Sequence, residues 1–299
     1  MARVDIVLPY YNGSAFIEDQ LTSVSSNIDT RLIIVNDESS AEETQFLKAR
    51  LPAGSLYLEN PTNLGVIRSI ERGLAASDAD FVMLCDQDDV WLPGKIDQSF
   101  ELIRSMNSDV PGLVFTDLRI VDKDLNLIAD SMAAFYGYSS QKIMPSILFQ
   151  NIVTGCTVIM NRKLMSLALP FPSSVTMHDH WLAICAVFGG EIQFLDQPTV
   201  LYRQHGRNQI GAPEHVSYLA RLGRLPTEWR RFCQQTHIKF QMVHTLTQRL
   251  GKSSDLLAKI ATDIENRNVI GLLQKGFWGE KIEKKILGSL YLLLLPRQR

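Results

Sequence analysis

Three aspartates occupy four consecutive positions of this chain, directly after a short apolar run. The run is Phe81–Cys85, and Asp86, Asp88 and Asp89 follow it. Carboxylates this close repel one another, so hydrogen-bond donors or a divalent cation would stabilise them, and hard oxygen ligands suit Mg²⁺ or Mn²⁺. The alternative is a solvated acidic turn before a helix beginning at Pro93, because acidic residues are common at helix starts. The residues alone leave both interpretations open.

Two other metal sites are disfavoured by spacing. An EF-hand loop that began at Asp86 would need Gly where Trp91 stands and Glu where Asp97 stands. The two histidines of 178–180 lack a third and fourth zinc ligand at suitable spacing. The cysteines are scattered without a CxxC pair, which predicts reduced, mostly buried thiols with no catalytic role. They are Cys85, Cys156, Cys185 and Cys233.

The elements that must position the aspartates form a regular succession in residues 1–116. Apolar segments that predict strands alternate with segments whose apolar residues fall at helical spacing. Such a βαβ succession predicts an α/β fold with a mostly parallel sheet, and ligands bind outside the carboxyl ends of its strands. The predicted strands are Val4–Leu8, Leu32–Val35, Leu56–Leu58, Phe81–Cys85 and Leu113–Phe115.

A polar cluster follows each of the first four predicted strands. The clusters are Pro9–Gly13, Asn36–Ser40, Asn60–Gly65 and the aspartates of 86–89. Each by itself is typical of turns and helix caps. Four at one edge of one sheet are better explained together by a nucleotide crevice. The chain has no GxGxxG and no GxxxxGK[ST] motif, which argues against a dinucleotide fold and a P-loop.

Beyond residue 116 the pattern is looser. It predicts a buried helix after the polar residues 177–181 and a helical region after Pro213, with breaks at Pro226 and Gly251. Phe135–Tyr138 is interpreted as a mobile loop. Three further strands are predicted at Val153–Met160, Ile192–Leu195 and Thr199–Tyr202.

Charge divides the chain, although the net charge of the 299 residues is only -2. Residues 1–212 carry a charge of about -10 and residues 213–299 about +8. An acidic body with a basic appendage suits contact with an anionic lipid surface. Nucleic acid is a weaker candidate, because no zinc finger, RRM-like signature or aromatic-basic interleaving accompanies the charge.

The last segment, 276–299, combines cations with an apolar run too short to span a bilayer. It suits an interfacial helix on an anionic leaflet, and a terminal helix docked on the protein's own core is the equal alternative. The amino terminus has no charged leader or cleavage site, so we expect a cytoplasmic protein, with a peripheral location on the inner face of the cytoplasmic membrane as the alternative.

Taken together, the motifs resemble an inverting nucleotide-sugar glycosyltransferase of the A-type (GT-A, Rossmann-like) fold, from the large bacterial family that builds surface polysaccharides. The resemblance implies a catalytic domain over 1–212, with a nucleotide-binding half at 1–116, an acceptor-binding half at 117–212 and a helical extension at 213–299. Asn36 departs from relatives, which often have a second aspartate there. The matching motifs are Pro9-Tyr-Tyr-Asn12, Val35-Asn-Asp37, Asn63-Leu-Gly65, Asp86-Gln-Asp-Asp-Val-Trp91, His178-Asp-His-Trp181 and Tyr202-Arg-Gln-His-Gly-Arg-Asn208.

The resemblance assigns roles on the donor side. Asp88 is the implied metal ligand, and His205 completes the metal shell or grips a phosphate. Asp86 reaches the ribose or metal-bound water, Asp89 holds the loop or sugar, and Asp37 contacts the base. The other implied nucleotide contacts are Pro9, Tyr10, Tyr11, Asn63, Arg68, Gln87 and Arg203.

It also assigns roles on the acceptor side. Inverting transfer needs a carboxylate that takes the proton of the acceptor hydroxyl, and the resemblance gives this role to Asp179. From the residues alone, a helix-capping aspartate is the better interpretation. His180 and Trp181 are implied acceptor contacts, the latter through its flat face, with a core tryptophan as the alternative.

The motif wording is most similar to bacterial rhamnosyltransferases that use dTDP-L-rhamnose. Some of these act on lipopolysaccharide core or O-antigen intermediates at the inner membrane, which implies a saccharide or lipid-linked acceptor. Two other functions stay open: a transferase that uses UDP-galactose, UDP-glucose or UDP-GlcNAc, and a non-catalytic module that binds sugar nucleotides or glycans.

Overall fold

The computed structural model describes residues 3–136, 146–148, 151–205, 225–251 and 255–274. Nine strands in this part of the chain form one sheet. They are β1 Val4–Tyr10, β2 Thr30–Asn36, β3 Leu56–Glu59, β4 Phe81–Leu84, β5 Val90–Trp91, β6 Gly112–Val121, β7 Leu127–Ala129, β8 Val158–Asn161 and β9 Glu191–Arg203. Their order is β3-β2-β1-β4-β8-β6-β9-β5, and β7 pairs with β6 outside this path.

Helices connect the strands and flank the sheet. The first seven are α1 Ile17–Ser23, α2 Ala41–Lys48, α3 Val66–Ala76, α4 Lys95–Ser105, α5 Met132–Tyr136, α6 Arg162–Ala168 and α7 His178–Gly189. Three more follow, α8 Leu225–Leu250, α9 Asp255–Glu265 and α10 Val269–Gln274. The predicted α/β class is confirmed.

The first four strands are parallel, as predicted. β1 pairs with β2 and β4, and β2 pairs with β3, all in parallel register. Helix α3 approaches this sheet closely because residue 73 is glycine: a Cβ there would lie 2.4 Å from a Val7 methyl carbon. The carboxyl ends of these strands therefore meet at one edge, which is the arrangement a crevice needs.

The rest of the sheet is mixed, and two predicted strands change. β8 is antiparallel to both of its neighbours, β4 and β6. The strand predicted at 153–160 is shorter, because Gly155–Thr157 is a turn of 3-10 helix. The two strands predicted at 192–195 and 199–202 are one continuous strand, β9, parallel to β6 with irregular register near Asp117.

The short strand β5 was not predicted, and it decides where the acidic residues lie. It pairs with β9 through Val90 opposite Leu201 and Trp91 opposite Val200. Trp91 is buried, with 3% of its surface exposed. The loop 85–89 is therefore held between β4 on one side and the end of β9 on the other.

The chain forms two compact units. The first comprises Met1–Gln141, Ile152–Phe171 and Thr176–His205, and the second Lys142–Asn151, Pro172–Val175 and Gly206–Arg299. In the second unit α9 packs against α8 and α10. Val243 and Leu246 of α8 are buried. Pro226 does not break a helix but lies in the first turn of α8, where the missing N–H is tolerated.

Several predictions concern residues outside the described ranges. They include residues 137 and 138 of the predicted loop, the motif residues 206–208, the boundary at 212 and the segment 276–299, and these stay predictions. Phe135 and Tyr136, the first two residues of that predicted loop, instead belong to α5. Within the described residues, no helix is long and apolar enough to cross a membrane. All four cysteines are free thiols, three of them buried, as predicted.

A buried carboxylate ties the amino-terminal ends of the parallel strands together. Asp5 on β1 is fully buried and accepts hydrogen bonds from Arg3 Nε at 3.1 Å, from Arg31 Nη2 at 2.6 Å and from Ser77 Oγ at 2.7 Å. Removal of a buried, paired charge leaves its partners uncompensated. The two arginines stay partly exposed, so water compensates part of the interaction they would lose without the Asp5 charge.

We therefore expect Asp5→Asn to lower the free energy of unfolding by about 2 kcal/mol. Urea denaturation of both proteins measures the difference. Asp80→Asn is the matched control, because this exposed aspartate lies at the same end of the sheet, directly before β4. We expect the control to change stability by less than about 0.5 kcal/mol. Equal effects of the two substitutions would contradict the role of Asp5.

Candidate active site

The acidic loop between β4 and β5 is only partly neutralised by the protein. Asp89 is fully buried, and its Oδ1 accepts the backbone N–H of Arg203 at 3.1 Å. Its Oδ2 has no hydrogen-bond partner among the described residues. Burial raises the pKa of Asp89 to about 7, and the charge of Asp88 adds to the effect. The Cys156 thiol, the Arg203 N–H and the Lys95 ammonium oppose this shift but offset the burial of the charge only in part.

The pKa of Asp86 is also raised. Burial raises its pKa well above the ordinary value, and the charges of Asp89, Asp88 and Asp179 raise it further. Ligand atoms of Asp86, Asp89 and Cys156 all lie within 4.8 Å of one another. Repulsion of this kind is relieved when a cation binds, and the carboxylate oxygens suit Mg²⁺ or Mn²⁺.

The structure brings together the two residues predicted to hold a metal. Asp88 Oδ2 lies 2.8 Å from His205 Nε2, although 117 residues separate them in the sequence. The His205 ring also stacks on Phe16 of the loop before α1, with ring centroids 4.8 Å apart and planes 20° apart. The imidazole is therefore held in one orientation beside the carboxylate.

Arg203 has a structural role that disagrees with its prediction as a nucleotide contact. Only 5% of its side chain is exposed. Its guanidinium donates to the backbone oxygen of Asp88 at 2.9 Å, to that of Lys123 at 2.9 Å and to the carboxylate of Asp19 at 2.9 Å. The arginine is thus occupied in joining the acidic loop, α1 and the turn after β6.

Asp37 organises the loop that follows β3. It is 4% exposed, and its two carboxylate oxygens accept the side chain of Asn60 at 2.7 Å and the backbone N–H groups of Leu64 and Gly65 at 2.8 Å each. Its backbone oxygen accepts the side chain of Asn63 at 3.2 Å. Asp37 and Asn63 therefore lie together, and their contact with a base stays a prediction.

Asn36 stands where relatives often have a second aspartate, and its hydrogen bonds explain the amide. This residue is fully buried, and its side-chain N–H₂ donates to Thr44 Oγ1 at 3.0 Å and to Tyr57 Oη at 2.9 Å. Its Oδ1 accepts the backbone N–H of Ser39 at 3.2 Å. The Thr44 hydroxyl donates to the Ser39 backbone oxygen at 3.4 Å and the Tyr57 hydroxyl donates to Glu59 at 3.2 Å, so both need a donor, which an amide supplies and an ionised carboxylate does not.

The remaining predicted nucleotide contacts differ in accessibility. The side chain of Tyr10 is buried and donates to Glu43 at 2.5 Å, which leaves Pro9 and Tyr10 to act through backbone atoms. Tyr11 is 48% exposed. Arg68 on α3 is 39% exposed and pairs with Glu71. The geometry is compatible with a crevice at this edge, and the individual contacts stay predictions.

Asp179 lies in the first turn of α7, close to the acidic loop. Its charge is one of the causes that raise the pKa of Asp86. Asp179 is not the N-cap residue, which is Met177, but its carboxylate still stabilises the helix start, because it accepts a backbone N–H of the first turn. Asp179 is 4% exposed, and its Oδ1 accepts the N–H of His180 at 2.6 Å.

A second contact also places the start of α7 beside the acidic loop. The Nε2 of His178 would lie 2.6 Å from a Cβ on Gly155. The next residue, Cys156, lies beside Asp86 and Asp89. The start of α7, which carries Asp179, therefore lies close to the acidic loop within the first unit.

The structure contradicts the acceptor contact predicted for Trp181. Its side chain is fully buried, and its indole N–H donates to the backbone oxygen of Ala168 at 3.0 Å. Trp181 is a core residue that joins α6 and α7. His180 is 8% exposed, and its contact with an acceptor stays a prediction.

Sequence reasoning missed a buried lysine beneath the acidic loop. Lys95 is 1% exposed, and its Nζ lies 4.9 Å from the centre of the Trp91 ring and 3.4 Å from Thr199 Oγ1. Burial lowers its pKa to about 8, and nearby groups including Asp89 oppose that shift. A signal was present, because a cation in the first turn of a helix is unfavourable unless a local partner compensates.

Tyr202, on β9, also borders this cluster. Burial raises its pKa above the ordinary range, and the neighbouring Cys156, Asp86 and Asp89 add to the effect. The acidic loop is therefore enclosed by a thiol, a phenol and a buried ammonium group, while Asp88 and His205 stay partly exposed at its edge.

Residues 5–164 match the model of the family described as glycosyl transferase family 2, which is more than half of the chain. The chain belongs to glycosyl transferase family 2. The family predicted from the motifs is confirmed, and so is the prediction of an enzyme that transfers hexosyl groups from nucleotide sugars.

Relatives of this family 2 chain include the dTDP-rhamnosyl transferase RfbG of Shigella flexneri, which is 22% identical over 95% of this chain and 97% of its own length. An uncharacterized glycosyltransferase of Nostoc, alr2836, is 25% identical over 69% of this chain and 66% of its own.

Solved structures show the same fold as this family 2 chain. TarS residues 1–349 of S. aureus, in complex with UDP-GlcNAc, align with a TM-score of 0.59 and 16% identity, over 96% of this chain and 79% of that one. The mannosyltransferase PcManGT of Pyrobaculum calidifontis, in complex with GDP-Man and Mn²⁺, gives 0.54 and 15%, over 98% and 87%. The predicted GT-A fold is confirmed.

Proposed function

We propose that this family 2 enzyme transfers L-rhamnose from dTDP-L-rhamnose to a saccharide acceptor, with inversion and with help from a divalent cation. The acceptor we infer is an intermediate of lipopolysaccharide core, O-antigen or a related surface polysaccharide. The observation that supports the proposed mechanism is the proximity of the start of α7 to the acidic loop: His178 lies against Gly155, and the charge of Asp179 helps to raise the pKa of Asp86.

The donor set fits Mg²⁺ or Mn²⁺. Asp88 and His205 offer an oxygen and a nitrogen 2.8 Å apart, and the unpartnered Oδ2 of Asp89 leaves negative charge to be balanced. Asp88 and His205 would hold the cation, with Asp86 beside them. When bound, the cation stabilises the negative charge on the diphosphate leaving group.

Other residues of this chain would bind the nucleoside and accept the proton of the acceptor hydroxyl. The turn held by Asp37, together with Asn63 and the end of β1, would bind the nucleoside. The acceptor oxygen attacks the anomeric carbon, the bond from that carbon to the diphosphate oxygen breaks, and the hydroxyl proton goes to Asp179. Attack from the face opposite the leaving group inverts the configuration.

Similarity to a dTDP-rhamnosyl transferase along nearly the whole chain supports the donor. A second candidate donor is UDP-GlcNAc or a UDP-hexose, which is favoured by the structural similarity to TarS in complex with UDP-GlcNAc. A non-catalytic binding module is less well supported, because it would not need both Asp88 and Asp179.

We expect the enzyme to bind dTDP at least about tenfold more tightly than UDP in the presence of Mn²⁺, because a pocket shaped for the thymine methyl loses apolar contact with uracil. Isothermal titration with both nucleotides measures the ratio. A donor panel of dTDP-L-rhamnose, UDP-glucose, UDP-galactose and UDP-GlcNAc then identifies the sugar. Preference for UDP in both assays would reject rhamnose and favour the second candidate.

A further inference from the structure

The side chain of Gln87 pairs with both backbone groups of Tyr11. Its Oε1 accepts the Tyr11 N–H at 2.9 Å, and its Nε2 donates to the Tyr11 oxygen at 3.2 Å. An amide satisfies both partners in a single orientation, as a peptide group does in a strand ladder. The middle residue of the acidic loop is thus bonded to the loop that follows β1.

The pairing requires a residue without a side chain at position 13, and that residue is glycine. A Cβ at residue 13 would lie 2.5 Å from Gln87 Oε1 and 2.6 Å from its carboxamide carbon, and its three nearest atoms all belong to Gln87. The Gly13 oxygen accepts the N–H groups of Phe16 and Ile17 at 3.1 Å each, which begins α1. The Gln87 amide therefore packs on the backbone from which α1 starts.

The contacts close a ring around the proposed metal site. Phe16, at the start of α1, stacks on the His205 ring. His205 bonds to Asp88, which is the chain neighbour of Gln87. This series of contacts therefore starts at Gln87, runs through the 11–13 loop to Phe16, and returns through His205 to Asp88.

We propose that Gln87 is a positioning residue: its amide clamps the 11–13 loop to the acidic loop and so fixes the place of His205 beside Asp88. The effect of this clamp on the cation and diphosphate site rests on the proposed function, whereas the clamp itself does not. It replaces direct contact with the nucleotide, the role that the family resemblance implied for Gln87.

The first test is made on the ligand-free protein. In Gln87→Met, which keeps the length of the side chain but loses both hydrogen bonds, we expect the amides of 11–17 to exchange hydrogen about tenfold to hundredfold faster than in wild type. Exchange in the β2 strand is the internal control. A residue that only touched nucleotide would leave exchange in the free protein unchanged, and that result would overturn the proposal.

The second test is a double-mutant cycle on Mn²⁺-dependent binding of dTDP and UDP. Gln87→Ala and Gly13→Ala should each weaken binding about tenfold to hundredfold, in the range found when residues that support metal ligands are changed. In the double mutant the new methyl group occupies the space that Gln87 left, so we expect no loss beyond that of Gln87→Ala. Additive losses would contradict the clamp.

The two tests separate the clamp from the proposed function. If wild type bound neither nucleotide with Mn²⁺, the proposed function would fail, while faster exchange in Gln87→Met would still establish the clamp. If wild type bound nucleotide and Gln87→Met exchanged normally, the clamp would fail alone. Circular dichroism of each variant checks that the substitution leaves the fold intact.

Discussion

Asp179→Asn is expected to lower kcat by about 10²–10⁴-fold, the range that general-base catalysis contributes. The amide keeps the shape of the side chain but cannot take the proton of the acceptor hydroxyl. Binding of the nucleotide should change little, because Asp179 is assigned to the acceptor and not to the donor. Steady-state transfer assays and nucleotide titration measure the two quantities on the same protein.

Asp196→Asn provides the control for this prediction, since Asp196 is an exposed carboxylate on β9. We expect it to leave kcat within about twofold of wild type, as is usual for surface positions. The base assignment is wrong if Asp179→Asn retains turnover close to that of the control. A loss of nucleotide binding equal to the loss of kcat would instead indicate a role in holding the acidic loop.

Asp88→Asn is expected to weaken Mn²⁺-dependent nucleotide binding by at least about 100-fold, because loss of a ligand exceeds the 10–100-fold effect of changing a supporting residue. The substitution removes the charge that binds the cation and weakens the contact with His205. His205→Ala should act in the same direction, and the two losses should be less than additive because both residues would hold one ion.

Titration of dTDP or UDP with and without Mn²⁺ checks this expectation. Asp109→Asn is the matched control, because Asp109 is exposed in the turn before β6. If Asp88→Asn bound nucleotide as wild type does, both with and without the cation, the contact between Asp88 and His205 would be structural. The proposed metal role would then be abandoned.

Much of the donor half could be predicted from the sequence because its signals are local. Apolar runs mark β1 to β4, and the turn residues after them mark the crevice edge, so the parallel part of the sheet was predicted with bounds close to the observed ones. The contact between Asp88 and His205 was predicted only through the family resemblance. No local pattern connects residues separated by 117 positions.

Other assignments failed for a physical reason. In α7 all the residues from His178 to Phe188 are buried, so the helix has no apolar and polar faces to compare. The sequence therefore could not place Trp181 in the core or at the surface. Arg203 was misassigned because an arginine in a polar loop resembles a ligand until its acceptors are known.

The sequence by itself determined the family, the parallel strands and the acidic loop, because each depends on residue type and short spacing. Only the tertiary structure decided which side chains face the crevice. It buried Trp181, engaged Arg203 with three acceptors, and brought Lys95 near Asp89 and Asp179 near Asp86. These outcomes depend on contacts between distant segments, whose partners are fixed only when the sheet and helices pack.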